Sequence, residues 1–145
     1  MFKKLFVLIV AASALGACAN PADSLPPTAP SQPTPAPVSY MVFFPLGSTK
    51  LSDQDQSTVS QAAQVYKTKP NARVTVTGYA DTIGSPSTNM ALSQQRANVV
   101  KGLLVNGGVP AGAISTAASG DTGLLVETST QVNQPKNRRV VIVIQ

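Results

Sequence analysis

The chain has 145 residues, of which 43% are hydrophobic and 12% charged, enough for one ordinary domain with a buried core. It contains no histidine and a single cysteine, which excludes a Cys/His zinc site, a Ser-His-Asp triad and an internal disulfide, so we expect no metal and no cofactor. The formal net charge is +5, of which Lys3 and Lys4 supply two, and the remaining +3 is too weak a basic signal to indicate nucleic acid as a partner.

The N-terminus has the features of an export signal. Residues 1–17 begin with two lysines, continue with an apolar run and end in small residues, the pattern of a secretory signal peptide. Leu15-Gly16-Ala17-Cys18 resembles the lipobox of bacterial lipoproteins, in which the cysteine is lipidated and becomes the first mature residue. The alternative is an ordinary signal peptide with a chance cysteine. The resemblance implies a lipid anchor at Cys18, and Ala19 after it implies the outer membrane, with the protein facing the periplasm.

A proline-rich segment separates this anchor from the rest of the chain. Residues 18–38 hold the cysteine and seven of the twelve prolines, which favours a semi-rigid polyproline II tether that reaches roughly 60 Å. The alternative is a disordered linker whose length has no functional significance. In either case we expect the folded domain to occupy residues 39–145.

The sequence pattern of residues 39–145 predicts a β-α-β-α-β-β order of elements. Strand-like apolar runs lie at residues 40–44, 73–78, 114–118 and 140–144. Helical periodicity lies at residues 52–69, opened by a capping box at Ser52–Asp55 and ended by Pro70, and at residues 88–106, closed by Gly107 and Gly108. The last strand is apolar on both faces and is predicted to be central. The order predicts an α/β (α+β) sandwich with the helices packed on a mixed sheet.

Polar residues fall on the apolar face of the second helix. At about 100° per residue, the predicted buried stripe contains Leu92, Val99, Val100, Leu103 and Leu104. Arg96 and Asn89 fall within the same stripe and are expected to point inward. A buried guanidinium requires an anion or several acceptors. The alternative is that Arg96 extends its charged group to solvent or closes a structural ion pair.

An aspartate lies in the loop before this helix. Asp81 follows the strand at 73–78, at the strand end where α/β folds tend to place ligands, although it could also close an Asx turn. An anion beside a cation and an amide suits a zwitterion, because the carboxylate takes an ammonium and the guanidinium takes a carboxylate in a bidentate pair.

Three motifs in this order resemble a known family. Gly78-Tyr79-Ala80-Asp81-Thr82-Ile83-Gly84-Ser85, Asn89-Met90-Ala91-Leu92-Ser93-Gln94-Gln95-Arg96-Ala97 and Asn137-Arg138-Arg139-Val140 are similar to the OmpA-like C-terminal domain, the peptidoglycan-binding module of peptidoglycan-associated lipoproteins. The resemblance covers about residues 40–145. It implies a non-enzymatic protein that binds meso-diaminopimelate of uncrosslinked stem peptides and tethers the outer membrane to the cell wall.

The resemblance also implies roles for single residues. Asp81 would pair with the diaminopimelate ammonium and Arg96 would clamp its carboxylate. Asn89 would hydrogen-bond the ligand or orient the loop, Thr82 would join the ligand site, and Arg138 would support it.

Two departures from the family pattern bear on affinity. Residues 45–49 replace an acidic residue and a polar run, and Ala80 replaces a threonine, so weaker binding is expected. The alternative function is therefore a protein-interaction component of an envelope assembly, with other envelope proteins as partners and a weakened or lost pocket. A wall hydrolase is disfavoured because Asp81, Asp121 and Glu127 lack an acid/base spacing.

Overall fold

The computed structural model of the protein describes residues 36–69 and 71–145. The predicted signal peptide, Cys18, almost all of the proline-rich linker and the helix-ending Pro70 lie outside these residues. None of the helices in the described part is both long and apolar enough to cross a membrane.

Within the described residues, four strands form one mixed sheet, as predicted. The strands are β1 (Val38–Phe43), β2 (Val74–Gly78), β3 (Ile114–Ala118) and β4 (Arg139–Ile144). Their order across the sheet is β1-β4-β2-β3, with β4 antiparallel to both β1 and β2 and with β2 parallel to β3. The predicted central position of the last strand is confirmed.

In the part of the chain that the structure describes, two α-helices cover one face of this sheet and enclose the core. Helix α1 (Asp53–Lys67) packs on β1, and helix α2 (Pro86–Asn106) packs on β2, β3 and α1. Alternate β4 side chains, those of Val140, Ile142 and Ile144, are fully buried in the core beneath the helices. Short 3-10 turns at Ala111–Ala113 and Pro135–Asn137 precede β3 and β4. The predicted α+β architecture is therefore confirmed.

The predicted capping box opens α1 and also joins it to β1. The Ser52 hydroxyl accepts a hydrogen bond from the Asp55 N–H at 3.1 Å and donates one to the Asp55 carboxylate at 2.6 Å. The other carboxylate oxygen of Asp55 accepts from the Phe43 N–H at 3.1 Å. Asp55 therefore satisfies a backbone donor on the outer edge of β1, next to the end of the strand.

Asp55→Ala is expected to lower the free energy of unfolding by about 1–2 kcal/mol, because the Ser52 hydroxyl and the Phe43 N–H both lose their acceptor on the Asp55 carboxylate. Denaturant unfolding monitored by circular dichroism measures this loss. Asp53→Ala removes the same charge from the same helical turn without removing either hydrogen bond, so it is the matched control. An equal loss in both variants would contradict the role of Asp55.

The ends of α2 differ slightly from the prediction. The helix begins two residues before Thr88, because the Ser85 hydroxyl caps the Thr88 N–H at 3.2 Å and Pro86 occupies the first turn. At the other end, Gly107 keeps a helical φ of −74°, and only Gly108 adopts a left-handed φ of +98°. The predicted glycine cap is thus supplied by the second glycine.

The buried face of α2 is rotated from the predicted stripe. The fully buried residues are Asn89, Ser93, Arg96, Ala97, Val100 and Leu104. The prediction was wrong for Val99, which is 38% exposed, and Leu92 and Leu103 are only half-buried. The cause is a close helix-sheet approach, since a Cβ added at Gly78 would lie 2.0 Å from the Ser93 carbonyl oxygen. The small residue Ser93 therefore lies at the closest approach of helix and sheet, and the buried face of the helix is turned away from Val99.

Candidate functional site

Three charged side chains meet at one end of the sheet. Asp81 lies just after β2, Arg138 lies just before β4, and Arg96 comes from α2. All three are buried, with exposed fractions of 3%, 7% and 0% in that order. Since isolated buried charges are costly, the partners of each group define what this centre can do.

Asp81 and Arg138 form a buried ion pair. The Asp81 Oδ2 lies 3.0 Å from Nη1 of Arg138 and accepts a longer bond of 3.4 Å from the Gln134 N–H. Among the described residues, the other oxygen, Oδ1, accepts only from the Ile83 N–H, also at 3.4 Å. Because a carboxylate oxygen has two lone pairs, Oδ1 retains the capacity to accept a strong hydrogen bond.

Arg138 also retains an unused group. Its Nε donates to the Phe44 carbonyl at 2.9 Å, and its Nη1 donates to both Asp81 and the Asn133 side-chain oxygen. Within residues 36–69 and 71–145, no hydrogen bond involves its Nη2. The ion pair therefore has one free acceptor site on the carboxylate and one free donor group on the guanidinium.

Arg96 points inward as predicted, but its partners are backbone carbonyls. Its Nε donates to Ser48 at 3.0 Å, Nη1 to Tyr79 at 3.0 Å and Nη2 to Pro45 at 3.2 Å. The guanidinium carbon also lies 5.2 Å from the centre of the Phe44 ring. The stretch at residues 45–49, whose side chains depart from the family pattern, thus contributes to the site through its backbone.

The centre carries an excess of positive charge. Burial lowers the pKa of Arg96 to about 10, an effect that the nearby Asp81 carboxylate opposes and the Arg138 guanidinium increases. Arg96 therefore stays charged at neutral pH. Two guanidiniums face one carboxylate, so the centre favours a ligand that brings at least one anionic group.

Asn89 and Thr82 hold the surrounding loops. The Asn89 side chain is 1% exposed and donates to the Asp121 carboxylate at 3.3 Å. The Thr82 hydroxyl donates to the Ser129 carbonyl at 2.7 Å and accepts from the Val132 N–H at 3.1 Å. In the described part of the chain, the side-chain hydrogen bonds of both residues are directed to loops and not to the ion pair.

Sequence reasoning missed two residues near this centre. Asn133 binds Arg138 from a polar loop that gave no periodic signal. Arg139, the second arginine of the predicted motif, stacks 3.8 Å above the Tyr79 ring, donates to the Gly123 carbonyl at 3.0 Å, and has its pKa lowered by burial, which Tyr79 opposes. The paired arginines were the only signal for this stack. Among the described residues, no three His, Cys, Asp or Glu side chains cluster as metal ligands would.

Comparison with known proteins identifies close relatives of this domain. The model of the OmpA family matches residues 43–138. An outer membrane protein of Gluconacetobacter diazotrophicus is 36% identical over 77% of this chain, and the peptidoglycan-binding protein ArfA of Mycobacterium bovis is 36% identical over 71%. The chain spans only 31% and 32% of the lengths of these relatives. The crystal structure of the peptidoglycan-associated lipoprotein from Burkholderia pseudomallei matches with a TM-score of 0.67 and 28% identity, over 72% of this chain and 89% of that chain.

Proposed function

The chain belongs to the OmpA family, and from this premise we propose that its folded domain binds peptidoglycan without catalysing a reaction. The ligand is the free end of meso-diaminopimelate in uncrosslinked stem peptides, which carries an ammonium and a carboxylate on one carbon. The names of the Mycobacterium bovis relative and the Burkholderia pseudomallei neighbour support this class of ligand.

The proposal rests on the Asp81–Arg138 ion pair, because the described residues leave hydrogen-bonding capacity on Oδ1 of Asp81 and on Nη2 of Arg138. The ligand ammonium donates to Oδ1 of Asp81, and the ligand carboxylate accepts from Nη2 of Arg138. Arg96, which the resemblance implies as the clamp on the carboxylate, adds positive charge beside that carboxylate and also fixes the surrounding backbone. Asn89 and Thr82 act as positioning residues through the loops they hold.

The proposal extends to the chain outside the described residues. Residues 1–17 form a signal peptide that is removed, Cys18 carries the lipid, residues 18–38 form the linker, and residues 39–145 form the binding domain in the periplasm. The protein then tethers the outer membrane to the cell wall. The relative named as an outer membrane protein and the lipoprotein neighbour support this location.

Weak binding at a single site is sufficient for a tether. Two charge-assisted hydrogen bonds of ~1.5–3 kcal/mol each, less the cost of association, give a Kd no tighter than about the micromolar range. A cell wall presents many identical stem peptides, and a lipid anchor confines the protein beside them. The effective concentration therefore compensates for the modest affinity.

Calorimetric titration of the purified protein tests the proposal. The first peptide is L-alanyl-γ-D-glutamyl-meso-diaminopimelate, and the second carries L-lysine in place of diaminopimelate and so lacks the distal carboxylate. We expect the first to bind at least about tenfold more tightly, since one charged hydrogen bond is lost with the second. Asp81→Asn is expected to weaken binding of the first by about tenfold or more, whereas the exposed Asp53→Asn is the matched control.

Two outcomes would contradict the proposal. Equal affinity for both peptides would show that the distal carboxylate is not recognised. Absence of binding by the folded protein would give preference to the alternative, an interaction component of an envelope assembly whose pocket has been lost.

A further inference from the structure

A cleft opens beside the Asp81–Arg138 pair. It has a volume of about 350 Å³ and is lined by Phe43, Phe44, Pro135 and Lys136. Phe44 connects the cleft to the ion pair, since its N–H donates to the Arg138 carbonyl at 2.9 Å and its carbonyl accepts from Arg138 Nε at 2.9 Å. A ligand held by the pair therefore lies next to the cleft.

The walls of the cleft are apolar, and the neighbouring edge of β1 has a backbone N–H that is already hydrogen-bonded. Phe43 is 39% exposed and Pro135 is exposed, so both present apolar surface to solvent. The Phe43 N–H already donates to the Asp55 carboxylate, which removes a backbone donor that an added strand would need. The aromatic ring, and not the edge of the sheet, is therefore the surface available to a ligand here.

One of the residues that line the cleft, Lys136, carries a positive charge. Lys136 lies in the 3-10 turn at Pro135–Asn137, where its N–H donates to the side chain of Gln134 at 3.3 Å. Its side chain is exposed, and within the described part of the chain no hydrogen bond or ion pair occupies its ammonium. The turn thus presents a free positive charge beside an apolar surface and close to the buried ion pair.

The apolar walls, the free cation and the neighbouring ion pair together define the ligand group that fits this cleft. It must be a short segment with apolar carbon groups and one anionic group, and it must be attached directly to the residue that the ion pair holds. In the stem peptide the residue bonded to the amino side of diaminopimelate is a γ-linked D-glutamate, whose methylenes are apolar and whose α-carboxylate is free. We infer that the cleft is a second subsite that takes this glutamate and pairs its α-carboxylate with Lys136.

The inference rests on the proposed function, and the experiment separates the two. The probes are L-alanyl-γ-D-glutamyl-meso-diaminopimelate and the same peptide with the glutamate α-carboxylate converted to a carboxamide. Wild-type protein is expected to bind the carboxylate form about three- to tenfold more tightly in calorimetric titration. The ratio of the two affinities is expected to fall to about one in Lys136→Gln and to persist in Lys136→Arg.

Control variants separate charge from packing. Lys67→Gln removes a cation from the C-terminal end of α1, at the opposite end of the domain, and the affinity ratio is expected to persist. Phe43→Ser is expected to weaken both peptides by a similar factor of about three, because the apolar wall is lost but the cation is not.

Each outcome is decisive. If wild-type protein binds both peptides with equal affinity, the inference of a second subsite is overturned and the proposed function stays intact. A ratio that persists in Lys136→Gln overturns the assignment of Lys136. If neither peptide binds, both the proposed function and the subsite are overturned.

Discussion

Replacing Gly78 with alanine is expected to lower the free energy of unfolding by about 3 kcal/mol or more, because helix and sheet meet at this residue without room for a side chain. The new Cβ would lie 2.0 Å from the Ser93 carbonyl oxygen and 2.8 Å from its carbonyl carbon. Both are backbone atoms, so α2 must move away from β2. Since α2 carries Asn89 and Arg96, binding of the stem peptide is expected to be lost as well.

Denaturant unfolding of Gly78→Ala measures the effect, with Gly102→Ala as the matched control. Gly102 lies within α2, and a Cβ there would meet nothing within 4 Å. Alanine at that position is expected to stabilise the protein by about 0.5–1 kcal/mol, because glycine is a poor helix former. An unchanged unfolding midpoint for Gly78→Ala would contradict the close approach of helix and sheet.

Removing one member of the buried ion pair is expected to cost about 3–5 kcal/mol of stability, because the other charge stays buried without its paired partner. Asp81→Ala leaves Arg138 without a carboxylate, and Arg138→Met leaves Asp81 with Arg96 as its remaining nearby cation. The double variant leaves no buried charge of the pair, so its loss is expected to be smaller than the sum of the two single losses by about 1–3 kcal/mol.

A double-mutant cycle measured by denaturant unfolding gives this coupling energy. The control cycle combines Asp81→Ala with Lys67→Met, which lies at the far end of α1. Changes at distant, independent positions are expected to add to within about 0.5 kcal/mol. Strict additivity of Asp81→Ala and Arg138→Met would mean that the pair does not interact in solution.

Local patterns in the sequence predicted the elements of the fold. Alternating apolar residues located β2, a continuous apolar run located β4, and the capping box at Ser52 located the start of α1. The orientation of α2 was harder to predict, because it depends on the contact between Gly78 in β2 and Ser93 in α2. The periodicity within one helix or one strand carries no information about a contact between the two elements. Val99 was therefore misplaced, although Arg96 was correctly placed inside.

The partners in the candidate site could be predicted only in part. A polar residue on an apolar stripe indicated that Arg96 is buried, and three separate motifs indicated that Asp81, Arg96 and Arg138 meet. Which atoms pair depends on the path of irregular loops. The carbonyls of Pro45 and Ser48 turn toward Arg96, and no side-chain pattern encodes the direction of a carbonyl.

The position of β4 between β1 and β2 has a consequence for the order of folding. Among the strands of the described residues, β1 pairs only with β4, and the contact of Arg138 with Phe44 closes a sequence separation of 94 residues. During synthesis, which begins at the N-terminus, β1 therefore stays without its partner strand until the residues after Arg138 have been made. Such long closures make folding slow. Arg138 also completes the ion pair, so the arrival of β4 assembles the described sheet and the candidate site in the same step.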